Sequence, residues 1–82
     1  MGEDENTGAV HDLDVTVWVG KRGVESVMDE LDTQLDDRDL VKVRFLRSAL
    51  SGTSAAELAE SMAEEVDAEI VDVRGHTGVF TR

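Results

Sequence analysis

Along its length this chain switches its hydrophobic period back and forth between that of a strand and that of a helix, and the switching leaves few folds open. Val15, Val17 and Val19 alternate with Thr16 and Trp18, the period of two and the β-branched content of a strand. Beyond Gly23, the apolar residues Val24, Val27, Met28, Leu31 and Leu35 recur at helical intervals and line one stripe of an amphipathic helix. Alternation returns from Leu40 to Leu46, where Val41, Val43 and Phe45 point one way and Lys42 and Arg44 the other.

The second half repeats the scheme. Ser54 and Glu57 have capping-box spacing, and Leu58, Ala59, Met62 and Val66 behind them form a second helical stripe. Glu69 to Arg74 reads as a third strand, Gly75 to Gly78 as a turn, and Val79 to Thr81 as a short fourth strand. The order is therefore βαβαββ. Each strand-helix-strand crossover is expected to be right-handed and to leave its two strands parallel, while the last pair closes as an antiparallel hairpin. Both helix stripes must bury against the sheet, which predicts a two-layer α/β domain: a mixed four-stranded sheet, two main helices on one face, and the other face partly free. Residues 1–10 are polar and acidic and read as a flexible N-terminal arm, leaving 11–82 as the folded domain. A single domain of 82 residues buries only about 60 to 65% of its unfolded surface, so modest stability is expected.

The chain has no cysteine, which excludes a disulfide framework and a thiolate metal site. The opening residues lack the basic start and apolar run of a signal peptide, and nowhere is there an apolar run of about 18 residues, so a soluble cytoplasmic protein is expected. Nineteen acidic residues against eight basic ones give a net charge of −11, which on its face opposes any polyanionic partner. Yet the acids are spread through every segment and there are only two lysines, the pattern of a protein solvated in concentrated salt, as in a halophilic archaeon. At molar ionic strength the Debye length falls to about 3 Å, and only local charge then matters to a ligand.

The most specific local pattern is Gly20-Lys21-Arg22-Gly23, set between the first strand and the first helix. Two glycines three apart permit a tight turn with backbone close to a ligand, the following helix would offer free N–H groups, and Lys21 and Arg22 add cationic donors. Such a loop can clamp a phosphate, as Gly-x-x-Gly does in KH domains; it can also be no more than a strand-to-helix turn. The other cations are unevenly placed: Lys42, Arg44 and Arg47 lie in or after the second strand and Arg74 ends the third. They extend a phosphate-contacting stripe, or they pair with neighbouring acids to keep a sheet edge soluble. Trp18, the one tryptophan, can stack on a base or pack beneath the N-terminal arm, and the packing reading is preferred. His76, in the Gly75 to Gly78 turn, can donate to a phosphate or stand exposed without a role, and the reading without a role is preferred for it and for His11. Two histidines and no cysteine cannot close a zinc site, so no metal or other cofactor is expected. Asp36, Asp37 and Asp39 oppose the dipole at the end of the first helix, which a salt-solvated surface would tolerate. With no nucleophile elbow, Walker loop or convergent acid-base grouping, an enzyme is not expected.

Taken together, His11-x-Leu13, Val19-Gly20-Lys21-Arg22-Gly23, Asp39-Leu40-Val41-Lys42-Val43-Arg44, the alanine-rich second helix and Gly75 to Arg82 resemble the CRM (chloroplast RNA splicing and ribosome maturation) domain and its stand-alone YhbY-like form. The resemblance spans about residues 11–82. It implies a compact α/β fold, binding of structured ribosomal or intron RNA, and a part in maturation of the large ribosomal subunit. It carries the family's loop onto Gly20, Lys21, Arg22 and Gly23 and its basic strand onto Lys42 and Arg44; Arg47 and Arg74 join them from geometry. The chain departs from the family at its N-terminus, where relatives carry a longer basic helix and a proline before the strand. A monomer is expected. The competing reading is an acidic protein-interaction adaptor without RNA binding, which an apolar open sheet face would favour.

Overall fold

The computed structural model describes residues 13–82. Its elements run β1 (Val15–Val19), a 3-10 turn (Val24–Val27), α1 (Met28–Asp37), β2 (Val41–Phe45), a second 3-10 turn (Arg47–Ala49), α2 (Ala55–Val66), β3 (Glu69–Arg74) and β4 (Thr77–Thr81). The expected βαβαββ order holds. The arm expected at residues 1–10, and His11 with it, lies outside the described residues.

The four strands lie in the order β1-β2-β4-β3. β1 and β2 are parallel, with Val17 beside Val43 and Val19 beside Phe45. β4 runs antiparallel to both β2 and β3, so it is wedged between the two strands that the α2 crossover connects. Alternation does what it should: Val17, Val19, Val41, Val43, Phe45 and Phe80 are buried, and Met28, Leu31 and Leu35 of α1 meet Ala55, Ala59, Met62, Ala63 and Val66 of α2 over them in one core. Register puts Trp18, Arg44, Thr77 and Arg74, and in the next row Lys42, Val79 and Asp72, on the opposite, open face, whereas a bulge between Val15 and Val17 pairs Val15 with Lys42 and leaves the Thr16 hydroxyl against Gln34 of α1.

Three expectations need correction. The first helical stripe is not one helix: Val27 sits at φ −121°, ψ 5°, which breaks the run into a 3-10 turn followed by α1. The β3–β4 turn is two residues, Gly75 and His76, with Gly75 at φ 57°, as a tight hairpin demands, and so β4 begins at Thr77. Gly78 is accordingly a strand residue. It faces the core, where a Cβ would lie 3.5 Å from the rings of Phe45 and Phe80 and 3.7 Å from Ala59 of α2, so its small size lets the helix settle close on β4. Last, Asp36 and Asp37 lie inside the final turn of α1 and Asp36 is not left to solvent alone. Arg82 donates to Asp36 at 2.7 Å, to Asp32, and to the Val66 carbonyl at 2.7 Å, tying the C-terminal ends of both helices together.

Candidate nucleic-acid interface

Strand direction decides where the cations meet. β1 and β2 are parallel, and β2 and β3 are both antiparallel to β4, so β1, β2 and β3 all point the same way. Their C-terminal ends, and therefore the Gly20–Gly23 loop, the Leu46–Arg47 segment and the Gly75–His76 hairpin, gather at one end of the molecule. Hydrogen bonds stitch them side by side. Leu46 N–H donates to Val19 C=O at 2.8 Å, and Phe45 N–H donates to His76 C=O at 2.7 Å. A Cβ on Gly20 would touch Leu46 Cδ1 at 3.5 Å.

The loop itself is a closed turn in which Gly23 N–H donates to Gly20 C=O at 2.9 Å, with Lys21 and Arg22 exposed at its tip. Gly23 lies at φ 82°, ψ −177°, a region open essentially to glycine alone. Its carbonyl accepts from Ser26 Oγ at 3.0 Å, which fixes the exit into the 3-10 turn. The expected helix N-terminus does not follow the loop directly, because α1 starts only at Met28. The loop's donors are thus its own side chains and turn amides.

Arg44, Arg47, Arg74 and His76 are exposed around this end, and Lys42 is half-buried one step back along β2. Among the described residues, Lys21, Arg22, Arg44, Arg47 and Arg74 make no ion pair; the salt bridges there belong to Arg82. The hydrogen bond to Asp32 is the first cause holding the Arg82 guanidinium above its ordinary range, partial desolvation opposing it and the charges of Asp32 and Asp36 adding to it. That arginine is structural. Many of the acids lie elsewhere: Asp14 precedes β1, Asp36, Asp37 and Asp39 lie at the α1–β2 junction, and Asp67 and Glu69 at the α2–β3 junction, all at the end opposite the loop, while Glu25 stands exposed two residues beyond Gly23. Hollows of about 170 Å³ beside Leu35–Asp39 and about 280 Å³ between Met28–Asp32 and Glu65–Asp67 lie among these carboxylates and are unsuited to a phosphate. No group of three side chains able to hold a metal ion occurs among the described residues, and no described helix is long and apolar enough to cross a membrane.

Of the eight residues singled out from sequence, Gly20, Lys21, Arg22 and Gly23 form the loop, Arg44, Arg47 and Arg74 lie at the same end of the sheet with Arg74 on its far edge strand, and Lys42 lies one row further back along β2. What sequence reading missed is the chain of contacts joining the loop to the β3–β4 hairpin, since it depends on β4 entering the sheet beside β2. Trp18 is 53% exposed, and the N-terminal arm beneath which it was expected to pack lies outside the described residues.

A two-layer α/β domain whose strand ends present a glycine-bracketed cationic loop is the class of protein these features define. Residues 5–82 match the CRS1 / YhbY (CRM) domain, and the chain belongs to that family. It is 47% identical over 66 residues to the protein named "Probable RNA-binding protein MJ0652" of Methanocaldococcus jannaschii, covering 80% of this chain and 49% of that protein. The chain thus spans about half the length of the curated relative it matches. The solution structure of the hypothetical protein SAV1595 from Staphylococcus aureus, described as a candidate RNA-binding protein, superposes with a TM-score of 0.74 at 29% identity, covering 100% of this chain and 86% of that one.

Proposed function

We propose that this chain is a non-catalytic RNA-binding domain that grips the phosphate backbone with the Gly20–Gly23 loop and extends the grip over Lys42, Arg44, Arg47 and Arg74. The observation that carries this reading is the convergence of five cations, without ion pairs among the described residues, at one end of a chain whose net charge is −11. Phosphate is the ligand class that an array of exposed guanidinium and ammonium groups around turn amides fits best.

The names borne by its relatives support RNA as the polymer. Structured ribosomal RNA and maturation of the large subunit are the finer reading, with the chain acting as a cytoplasmic monomer without cofactor in a salt-adapted cell. The adaptor alternative called for an apolar open face; in the row of that face nearest the loop, Trp18, Arg44, Thr77 and Arg74, two of the four residues are cationic, and Val79 lies in the row behind it between Lys42 and Asp72.

The test is binding of the purified chain to transcripts of large-subunit ribosomal RNA, compared with the Lys21→Ala/Arg22→Ala variant. Both side chains are exposed, so the variant keeps its circular dichroism spectrum while affinity falls about tenfold or more, each charge-assisted contact being worth about 1.5 to 3 kcal/mol. Equal affinity of native and variant chains would sink the loop as the contact.

A further inference from the structure

The chain has three aromatic residues, and they divide sharply. Phe45 and Phe80 are fully buried in the core, whereas Trp18 is 53% exposed on the open face of the sheet, between Val17 and Val19, which point inward and are 2% and 0% exposed. About half of the Trp18 side chain is open to a ligand. Its surroundings are the informative part. Trp18 is the register partner of Arg44, Arg44 of Thr77, and Thr77 of Arg74, so a single row runs across all four strands as Trp18, Arg44, Thr77, Arg74. At strand spacings of about 4.8 Å the row is about 14 Å long. It lies just behind the Gly20–Gly23 loop, two residues from Trp18 to the first glycine. The acids of this face, Asp72 and Glu69, belong to rows nearer the opposite end.

Resting on the RNA reading above, we infer that Trp18 is a stacking platform for an unpaired base of the strand whose backbone the loop holds, with Arg44 and Arg74 meeting the phosphates that follow across the row. The site therefore takes single-stranded RNA, or a single-stranded segment within a folded RNA. A duplex keeps its base faces stacked and covered and cannot offer one to the indole. Stacking is tolerant of sequence, because every base has a π-face. It also persists where salt screens charge, so the indole and the cations divide the work: the cations dominate in dilute salt and the indole in concentrated salt.

Trp18 is the sole tryptophan, so its fluorescence reports this site and nothing else. The experiment titrates the whole chain with an end-labelled oligouridylate and with an RNA duplex of equal length, reading Trp18 emission and, separately, the anisotropy of the label. Expected are saturable quenching by the single strand and none by the duplex. Trp18→Ala should weaken single-strand binding about tenfold, Trp18→Phe should restore most of it, and the alanine deficit should persist in concentrated salt while that of Lys21→Ala/Arg22→Ala shrinks. If anisotropy reports single-strand binding while Trp18 emission is unmoved and Trp18→Ala binds like the native chain, the platform is overturned and the backbone clamp survives. If neither RNA moves the anisotropy, the RNA reading falls and the platform with it.

Discussion

Gly20 and Gly23 bracket the loop symmetrically in sequence but not physically. Gly23 sits at φ 82°, where a Cβ strains the backbone whatever room surrounds it, whereas Gly20 has no such dihedral and an added Cβ would meet Leu46 in ordinary van der Waals contact. Gly23→Ala should therefore cost about 1 to 3 kcal/mol in urea denaturation and Gly20→Ala only a few tenths. Similar losses at the two positions would show that the loop relaxes around the change. The Gly-x-x-Gly spacing was legible in the sequence, but which glycine carries strain was not, because a dihedral is set by the closed turn and the Ser26 hydroxyl behind it. Arg82 makes the same point at longer range. Nothing near the terminus announces that its guanidinium serves Asp32, Asp36 and the Val66 carbonyl, groups 50, 46 and 16 residues away.

Elements whose signals are local were legible almost to the residue. Ser54 caps α2 by accepting from Glu57 N–H at 3.2 Å, as the spacing implied, and the alternation assigned β2 and Val17 to Val19 of β1 their faces, while the bulge before Val17 was not legible. Elements defined by partners were not. β4 came out too short because Thr77 and Gly78 owe their strand character to pairing with Arg44 and Val43. The end of α2 at Val66 was legible, but the left-handed cap that follows it was not. Asp67 adopts the left-handed conformation, φ 57°, ψ 49°, while Ala68 N–H donates back to Ala63 C=O at 2.8 Å. A non-glycine residue there costs about 1 to 2 kcal/mol, and its carboxylate also opposes the helix dipole. Asp67→Gly should stabilise the domain by about 1 kcal/mol and raise its midpoint by about 4 to 8 °C in thermal denaturation at fixed salt. No gain would mean that a side-chain contact at Asp67 offsets the backbone cost.

For the molecule as a whole, the balance of charge misleads and its distribution informs. The sequence showed that the basic residues avoid α2; only the common direction of β1, β2 and β3 shows that Lys21, Arg22, Arg44, Arg47 and Arg74 belong to one surface. If those five are the phosphate contacts, the affinity for single-stranded RNA should fall with salt along a log-log slope of about −3.5, and Lys21→Ala/Arg22→Ala should flatten it by about 1.4. Anisotropy titrations over a range of KCl concentrations read this directly, and a slope indifferent to the two substitutions would refute the assignment. The opposed ends have one more consequence. A body positive at one tip and negative at the other is a large electric dipole, and in dilute solution the field of a polyanion exerts a torque on it before any contact, turning the strand-end tip forward and holding the carboxylate tip away. In molar salt that torque vanishes beyond about 3 Å, so the partners must find each other by unguided collision and orientation becomes a matter of what sticks.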